Sequence, residues 1–286
     1  MRFVLTLIAL SGTGVLPVSA QDMTKPAPVL EITREAIKEG RGPAHEKVEA
    51  DWAAAMHKVN HPAHYIALGA LSGSSEVWFI NPMPSFAANE DYDKISEKEP
   101  VKSTMAMLES RDGELRASSR TMWAVYRPDL SYHPEKFNPG KTRYVVAGSM
   151  RVRLGHDDDF MAGAKQWFGG HDKANIDMCM LGYQVVAGAP AGSYLFFTMM
   201  DSMKMLDGEA ERMQAVQQAM GAENLARLMK ASGDVFVSIE DTLLQVKPGM
   251  SYPPQEMVDA DPAFWKPKPV AKPASAAAAT EKKTGQ

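Results

Sequence analysis

An eight-residue stretch occurs twice in the chain and constrains its architecture more than any other feature. Residues 127–134 read RPDLSYHP and residues 247–254 read KPGMSYPP, so half of the positions are identical. Tyr132 and Tyr252, the matching tyrosines, stand 120 residues apart, about the length of one small domain. Solenoid arrays have shorter periods and more copies. The recurrence therefore predicts a duplicated domain.

The hydrophobic patterning that precedes each copy of this motif also repeats. Alternating apolar residues from Leu30 indicate a strand, and a stripe at helical spacing through Trp52 indicates a helix. A hairpin, a second helical region and a last strand follow, with residues 81–84 (NPMP) expected to end the third strand. The same order recurs over residues 143–246. We expect an α+β fold of two tandem β-α-β-β-α-β repeats, residues 21–138 and 139–258.

Two strand segments are apolar on both faces, which indicates how the repeats pack. Residues 77–80 (VWFI) and 194–197 (YLFF) have the pattern of a sheet that is covered on both sides. In a ferredoxin-like unit, helices cover only one face of the sheet. We therefore expect the two repeats to pack sheet to sheet as an intramolecular pseudo-dimer, with a modest apolar cleft between the sheets.

Both repeats begin with a strand, a glycine and a helix, at residues 29–42 and 144–155, and close with a strand before residues 127–128 and 247–248. This arrangement resembles the ferredoxin-like dimeric α+β barrel superfamily, in the style of NIPSNAP-like and antibiotic-biosynthesis-monooxygenase-like domains. The resemblance covers residues 28–132 and 142–252. It implies a fold shared by cofactor-independent oxygenases, haem-degrading enzymes, dismutase-like enzymes and ligand-binding or structural modules.

The two ends of the chain differ in composition from the repeats. Residues 1–20 have the pattern of a secretory signal peptide, with Arg2, an apolar run and a small-residue cleavage site at Ala20. We expect export to the periplasm or the extracellular space, with no membrane insertion after cleavage. Residues 259–286 are rich in Pro, Ala and Lys, which predicts a disordered tail.

Charge and cysteine content exclude several kinds of partner and linkage. The net charge of −4 indicates no nucleic-acid partner. Cys179 is the only cysteine, so the chain forms no intramolecular disulfide. No phosphate-binding glycine loop or catalytic signature motif occurs, and the cofactor and the oligomeric state stay undetermined.

The first repeat has more titratable residues close to aromatic ones than the second, whose candidates are Trp167, His171 and Tyr183. One turn of the first helix separates a histidine from a glutamate, and such a pair can act as a general base. An exposed ion pair is the other interpretation. We hypothesise that a small apolar or aromatic ligand binds under this helix, at His45, Glu49, Trp52, His64 and Trp78. The alternative is that the tryptophan fills the core and the histidines face water.

His57, His61 and His64 form the densest histidine cluster. The spacing of the first two could place both imidazoles on one helical face, as a zinc site requires. Pro62 ends the helix before the third histidine, and no carboxylate completes the set. A histidine-rich helix end, placed favourably against the helix dipole, is the alternative. We assign no metal site from the sequence.

These patterns lead to two hypotheses on function. The first is an exported binding or scaffold module with an apolar cleft between two ferredoxin-like sheets. The second is a small oxygenase- or lyase-type barrel enzyme that acts on a planar or apolar substrate without a tightly bound cofactor. No motif pairs a base with a nucleophile, which favours the first hypothesis.

Overall fold

The computed structural model describes residues 25–266. The expected signal peptide and residues 267–286 of the expected tail lie outside this range. The first half consists of β1 (Val29–Ile37), α1 (Gly42–Val59), β2 (Ile66–Ala70), β3 (Glu76–Met83), α2 (Ala87–Ser96), α3 (Val101–Gly113) and β4 (Arg116–Tyr126). The second half consists of β5 (Tyr144–Val152), α4 (Asp157–Lys173), β6 (Cys179–Ala187), β7 (Ser193–Met200), α5 (Lys204–Asp207), α6 (Glu209–Met220), α7 (Ala222–Val235) and β8 (Phe236–Val246). Two short helices follow, α8 (Gln255–Ala260) and α9 (Pro262–Trp265).

The eight strands form one closed antiparallel barrel in the order β1-β3-β2-β8-β5-β7-β6-β4. Each half supplies four neighbouring strands, and the seams are the pairs β2–β8 and β4–β6. The expected α+β class and the expected element order are confirmed. The sequence predicts only that the sheets of the two halves pack face to face. In the structure, hydrogen bonds also join the edge strands of the two sheets, so that they close into one barrel. Closure of the barrel leaves no strand with an unpaired edge.

Apolar side chains fill the barrel interior. Large residues from both halves meet there, among them Trp78, Tyr183 and Phe197. They leave an apolar cavity of about 90 Å³. Binding pockets for small molecules typically measure about 300–1,000 Å³. The cleft that the sequence predicts between the two sheets is therefore largely occupied by core side chains.

Strand β3 continues past the point where the sequence predicts its end. Pro82 lies opposite Leu30 of β1, and the strand runs to Met83. Proline cannot donate a backbone hydrogen bond, so it is tolerated where one side of a strand lacks a partner. The register with β2 covers β3 only as far as Ile80, so Pro82 lies in the part of β3 that pairs with β1 alone.

The repeated eight-residue motif forms two reciprocal clasps between the halves. In each copy a 3-10 turn follows the last strand of its half, at Pro128–Leu130 and at Pro248–Met250. The Ser131 hydroxyl accepts a hydrogen bond from the Gly182 amide at 3.0 Å, and the Ser251 hydroxyl accepts one from the Ala67 amide at 2.9 Å. Each occurrence of the motif thus holds a strand of the other half, so both occurrences have the same structural role.

The tyrosines of the motif extend both clasps. Tyr132 pairs with Met180, and Tyr252 pairs with Tyr65, each through an isolated antiparallel bridge. Further along the chain, the Trp265 indole donates a hydrogen bond to the Gly140 carbonyl at 3.0 Å, and its side chain is buried. Residues 262–265 therefore form a helix that packs on the second half, beyond the boundary at 258/259 that composition predicts.

Candidate functional site

Five ionisable side chains come together between α1, α3 and the outer face of β1, and we call them the polar cluster. Alternation along β1 turns Leu30 and Ile32 into the barrel, so Glu35 points outward toward α1. The other members come from one turn of α1, from the end of α3 and from the start of β4, and the full set is Glu35, His45, Glu49, Asp112 and Arg116.

Three carboxylates of the polar cluster face one nitrogen of His45. Its Nε2 atom lies 3.0 Å from Glu35 Oε2, 3.3 Å from Asp112 Oδ1 and 3.9 Å from Glu49 Oε1. Arg116 approaches from the other side, 2.6 Å from Glu35 Oε1 and 2.9 Å from Asp112 Oδ2. The four acidic and imidazole side chains are all buried. Burial of so many charges is costly unless they are balanced.

Burial and mutual repulsion hold protons in the polar cluster. Burial first, and then the charges of Asp112 and Glu35, raise the pKa of Glu49 to about 9. Burial also raises the pKa of Asp112, with the charge of Glu35 adding to the effect. Without a further cation, Glu49 is therefore neutral at pH 7, and the cluster keeps fewer than its full set of negative charges.

Two buried oxygen atoms at the polar cluster lack a hydrogen-bond partner. They are Asp112 Oδ1, on a side chain that is 2% exposed, and the hydroxyl of Tyr65. Tyr65 lies near enough to Glu49 for that charge to raise the pKa of Tyr65, although burial is the larger cause. Buried polar atoms are rarely left without a partner in folded proteins, so these two atoms call for a physical explanation.

The five residues that the sequence places in one ligand site are divided among three locations. His45 and Glu49 belong to the polar cluster, and Trp52 is partly buried on the same helix. Trp78 points into the barrel, where its indole donates to Glu76 at 3.1 Å. His64 is partly buried beside Tyr252. The structure therefore brings together His45 and Glu49 but separates both from Trp78.

The three histidines at the end of α1 do not converge on one point. His57 and His64 both contact the ring of Tyr252, with ring centroids 4.5 and 4.6 Å away and interplanar angles of 85° and 31°. The Nε2 atom of His61 lies 3.1 Å from the hydroxyl of Ser96 instead. Burial lowers the pKa of His61 and of His64. Within residues 25–266, these histidines are not among the groups that could hold a metal ion.

A cavity of about 390 Å³ lies between α4, α7 and the barrel in the second half. Its walls are mostly aromatic, aliphatic or thioether side chains, including Met150, Phe160, Trp167, Phe196 and Phe236. The volume lies within the range of small-molecule sites, and the apolar walls are typical of such sites. We call it the helix–sheet cavity.

The helix–sheet cavity occupies the same place in the second half as the polar cluster does in the first. The equivalence follows from position within each element. The compared positions are the seventh residue of the first strand and the fourth and eighth residues of the first long helix. The other two are the first residue of the last strand and the residue four positions before it in the sequence. The counterparts are Met150 for Glu35, Phe160 for His45, Ala164 for Glu49, Ser232 for Asp112 and Phe236 for Arg116, and all five line the cavity.

Sequence reasoning missed three members of the polar cluster, namely Glu35, Asp112 and Arg116. They belong to elements that lie far apart in the chain, and only the packing of α1 and α3 on the sheet brings them together. One signal was available: a glutamate at an outward position of β1 lies under a helix, where a carboxylate needs a partner.

Comparisons with known proteins give a fold and no family. No family model matches the chain, and no curated protein matches it. An anthrone oxidase-like protein is 12% identical, with 79% of this chain and 93% of that chain covered and a TM-score of 0.50. A proposed monooxygenase from Fusobacterium nucleatum is 10% identical, with 77% and 93% covered and a TM-score of 0.50. A chlorite dismutase variant from Candidatus Nitrospira defluvii is 8% identical, with 83% and 97% covered and a TM-score of 0.48.

At these identities the likeness shows the fold alone. The chain has a mixed α+β fold with eight antiparallel strands in a closed barrel, and the likeness to those solved structures is one of fold. Within residues 25–266, no helix combines the length and the apolar character that crossing a membrane requires.

Proposed function

We propose that this protein binds a small, flat, largely apolar ligand in the helix–sheet cavity of its second half. The observation that carries the proposal is the cavity itself, a space of about 390 Å³ with several aromatic walls. Aromatic and thioether side chains suit a flat apolar molecule because they offer large contact areas without polar atoms that need partners.

Polar groups at the cavity favour a ligand with one anionic or polar end. Asp159, Gln166 and Arg227 are exposed residues among the lining side chains. Met229 and Ile239, which are 66% and 52% exposed, also line it. Exposed apolar side chains beside a cavity commonly mark a binding surface. A ligand could therefore bury its ring system and keep a charged group near Arg227.

Haem does not fit this cavity. Haem iron is held by a histidine, a cysteine or a tyrosine, or by a methionine together with a histidine. None of the described lining residues is a histidine, a cysteine or a tyrosine. His171 lies on the same helix, but its Nδ1 atom is 2.9 Å from the Trp167 carbonyl and its ring packs against Tyr132. We therefore propose no haem chemistry for this chain.

Binding is better supported than catalysis. A general base must reach the atom whose proton it removes. Among the described lining residues the one carboxylate belongs to Asp159, which is mostly exposed and lies 2.9 Å from His156. His45 of the other half is only 1% exposed and faces buried carboxylates. The oxygenase or lyase alternative therefore lacks a base at the cavity.

The proposal also covers the cellular location of the protein and the relation between its two halves. We infer that the chain is exported through residues 1–20, and that its halves are fused ferredoxin-like, NIPSNAP-like copies that form a pseudo-dimer. The reciprocal clasps and the equivalent positions of the two halves support the second inference. Residues 21–138 expressed alone should aggregate or self-dimerise, and a folded monomer would contradict the inference.

Tryptophan fluorescence titrated with 1-anilinonaphthalene-8-sulfonate tests the binding site. Trp167 and Trp52 hold the same position in α4 and α1, so Trp167→Phe and Trp52→Phe form a matched pair. We expect the ligand-induced change in emission to be much smaller in Trp167→Phe than in the parent and to be nearly unchanged in Trp52→Phe. Ala164→Phe should block binding because its ring fills the cavity.

Each other outcome of this titration has a definite meaning. A response that follows Trp52 would transfer the site to the first half, at the residues that the sequence predicts. No response in any variant, with the fold confirmed by circular dichroism, would contradict ligand binding at both positions.

A further inference from the structure

The polar cluster of the first half has the geometry of a metal centre. We propose that His45, Glu35, Glu49 and Asp112 bind one first-row divalent cation, which links β1, α1 and α3. Each residue can supply one ligand atom, and these atoms all lie within 4.8 Å of one another. This site is separate from the ligand cavity of the other half.

The distances from His45 to the three carboxylates lie close to those of a tetrahedral site. Metal–ligand bonds of ~2.1 Å in a tetrahedron place the ligand atoms ~3.4 Å apart. The Nε2 atom of His45 lies 3.0, 3.3 and 3.9 Å from the three carboxylate oxygens. The four ligand atoms therefore already surround one point, and a bound cation would draw the more distant ones inward.

Arg116 orients two of the ligands without occupying the oxygens that would bind the metal. Its guanidinium bonds Glu35 Oε1 and Asp112 Oδ2. The oxygens that remain, Glu35 Oε2 and Asp112 Oδ1, are the ones that face His45. In metal sites, a partner behind each ligand commonly fixes its orientation in this way.

A divalent cation also balances the buried charge. With neutral His45, the three carboxylates carry three negative charges, and Arg116 supplies one positive charge. A divalent cation supplies the other two, so the buried group becomes neutral. Buried charges are stable only when they are paired or bound to a metal.

A second observation independently points to a ligand at this place. Asp112 Oδ1 has no hydrogen-bond partner although its side chain is almost fully buried. The nearby Tyr65 hydroxyl also lacks one. A cation at the centre of the cluster would give the aspartate oxygen its missing partner.

The ligand set indicates which cations fit. One imidazole and three carboxylates suit Zn²⁺, Mn²⁺ or Fe²⁺, whereas Cu(I) prefers thiolates and thioethers. Four protein ligands in a closed, buried position are typical of a structural rather than a catalytic centre. The cation would thus hold the first helix layer on the barrel.

Metal analysis and titration of the full mature chain test the proposal. After chelator treatment, isothermal titration with Zn²⁺ and with Mn²⁺ should show one equivalent bound per chain. Loss of an orienting partner already weakens metal sites by ~10–100-fold, so His45→Gln and Glu49→Gln should weaken binding at least that much. Glu109→Gln is the matched control, since this mostly exposed carboxylate contacts Arg116 from outside the site.

Line broadening by Mn²⁺ in the unaltered protein locates the site without any variant. Broadened amide signals should be confined to β1, α1, the end of α3 and the start of β4. The proposal fails if no stoichiometric binding occurs, if His45→Gln and Glu49→Gln bind like the parent, or if the broadening centres on His57, His61 and His64.

Discussion

In the first half of the barrel, the space between the helices and the sheet holds five ionisable side chains that bond to one another. In the second half, the equivalent five positions carry apolar or small residues around an open cavity. The strands, their order and the clasps are the same in both halves. The two halves therefore share one scaffold, while their helix–sheet interfaces carry different chemistry.

The two interfaces also differ in role: the first contributes to stability, and the second leaves space for a ligand. The polar cluster ties β1, α1, α3 and β4 together through short-range charge contacts. The cavity leaves α4 and α7 without a filled core between them, which costs packing energy. A protein can tolerate such a cavity where a ligand replaces the missing contacts.

The largest effect should come from removal of the one guanidinium in the polar cluster. Arg116→Met leaves Glu35 and Asp112 buried without the guanidinium that pairs with both, and breaking a buried pair costs about 3–5 kcal/mol. Urea denaturation measures this loss. Phe236→Met, at the equivalent position, is the control and should cost less than ~1.5 kcal/mol because the volume is nearly kept. Equal losses would mean that the two interfaces do not differ in charge.

Replacement of the whole polar cluster by the residues of the second half should change the free energy of unfolding in the opposite direction from loss of one member. A variant with Glu35→Met, His45→Phe, Glu49→Ala, Asp112→Ser and Arg116→Phe gives the first half the residues of the second. Replacement of a buried ion network by apolar residues is often neutral or stabilising by ~1–4 kcal/mol. After chelator treatment, the unfolding midpoint of this variant in urea should therefore equal or exceed that of the metal-free parent. A loss greater than that of Arg116→Met would refute the equivalence of the positions.

Removal of either clasp, in contrast, should lower the stability of the protein by a similar amount. Ser131→Ala and Ser251→Ala each leave a backbone amide without its partner, and such a loss costs ~1–3 kcal/mol. Differential scanning calorimetry of the two variants should show similar decreases in Tm. A decrease in only one variant would show that the clasps have also diverged.

The smallest effect on stability should come from a second carboxyl on the outer face of β1. Burial raises the pKa of Glu31, whose counterpart in β5 is Val146. The folded state therefore binds this proton more tightly than the unfolded state does, so stability falls as pH rises above about 4.5. Glu31→Gln should remove that part of the fall, as measured by urea midpoints across pH 4–8. Parallel pH profiles for the parent and the variant would contradict this assignment.

Much of the fold was predictable because it depends on local patterns and on one recurrence. The paired motif at Tyr132 and Tyr252 indicated that the two halves have the same element order, and alternation along β1 gave the inward residues. The run of β3 through Pro82 was not predictable, because it depends on where the neighbouring strand ends.

The candidate sites were less predictable because they depend on packing between distant elements. His45 and Glu49 were identified from their spacing, but Asp112 joins them only when α3 packs beside α1. The cavity has no sequence signature, since it arises where small residues such as Ala164 leave space under a helix. Empty volume is set by the distance between layers rather than by any single residue.

The two clasps also differ in how much chain they enclose, which affects the order of folding. The bond from Gly182 to Ser131 joins residues 51 apart, whereas the bond from Ala67 to Ser251 joins residues 184 apart. Loop-closure entropy then favours the shorter connection by about 1 kcal/mol. The β4–β6 seam should therefore form first, with β2 paired only to β3 until the end of the chain returns and β8 pairs with its other edge. Pulsed hydrogen exchange during refolding would then show protection of the Gly182 amide before that of Ala67.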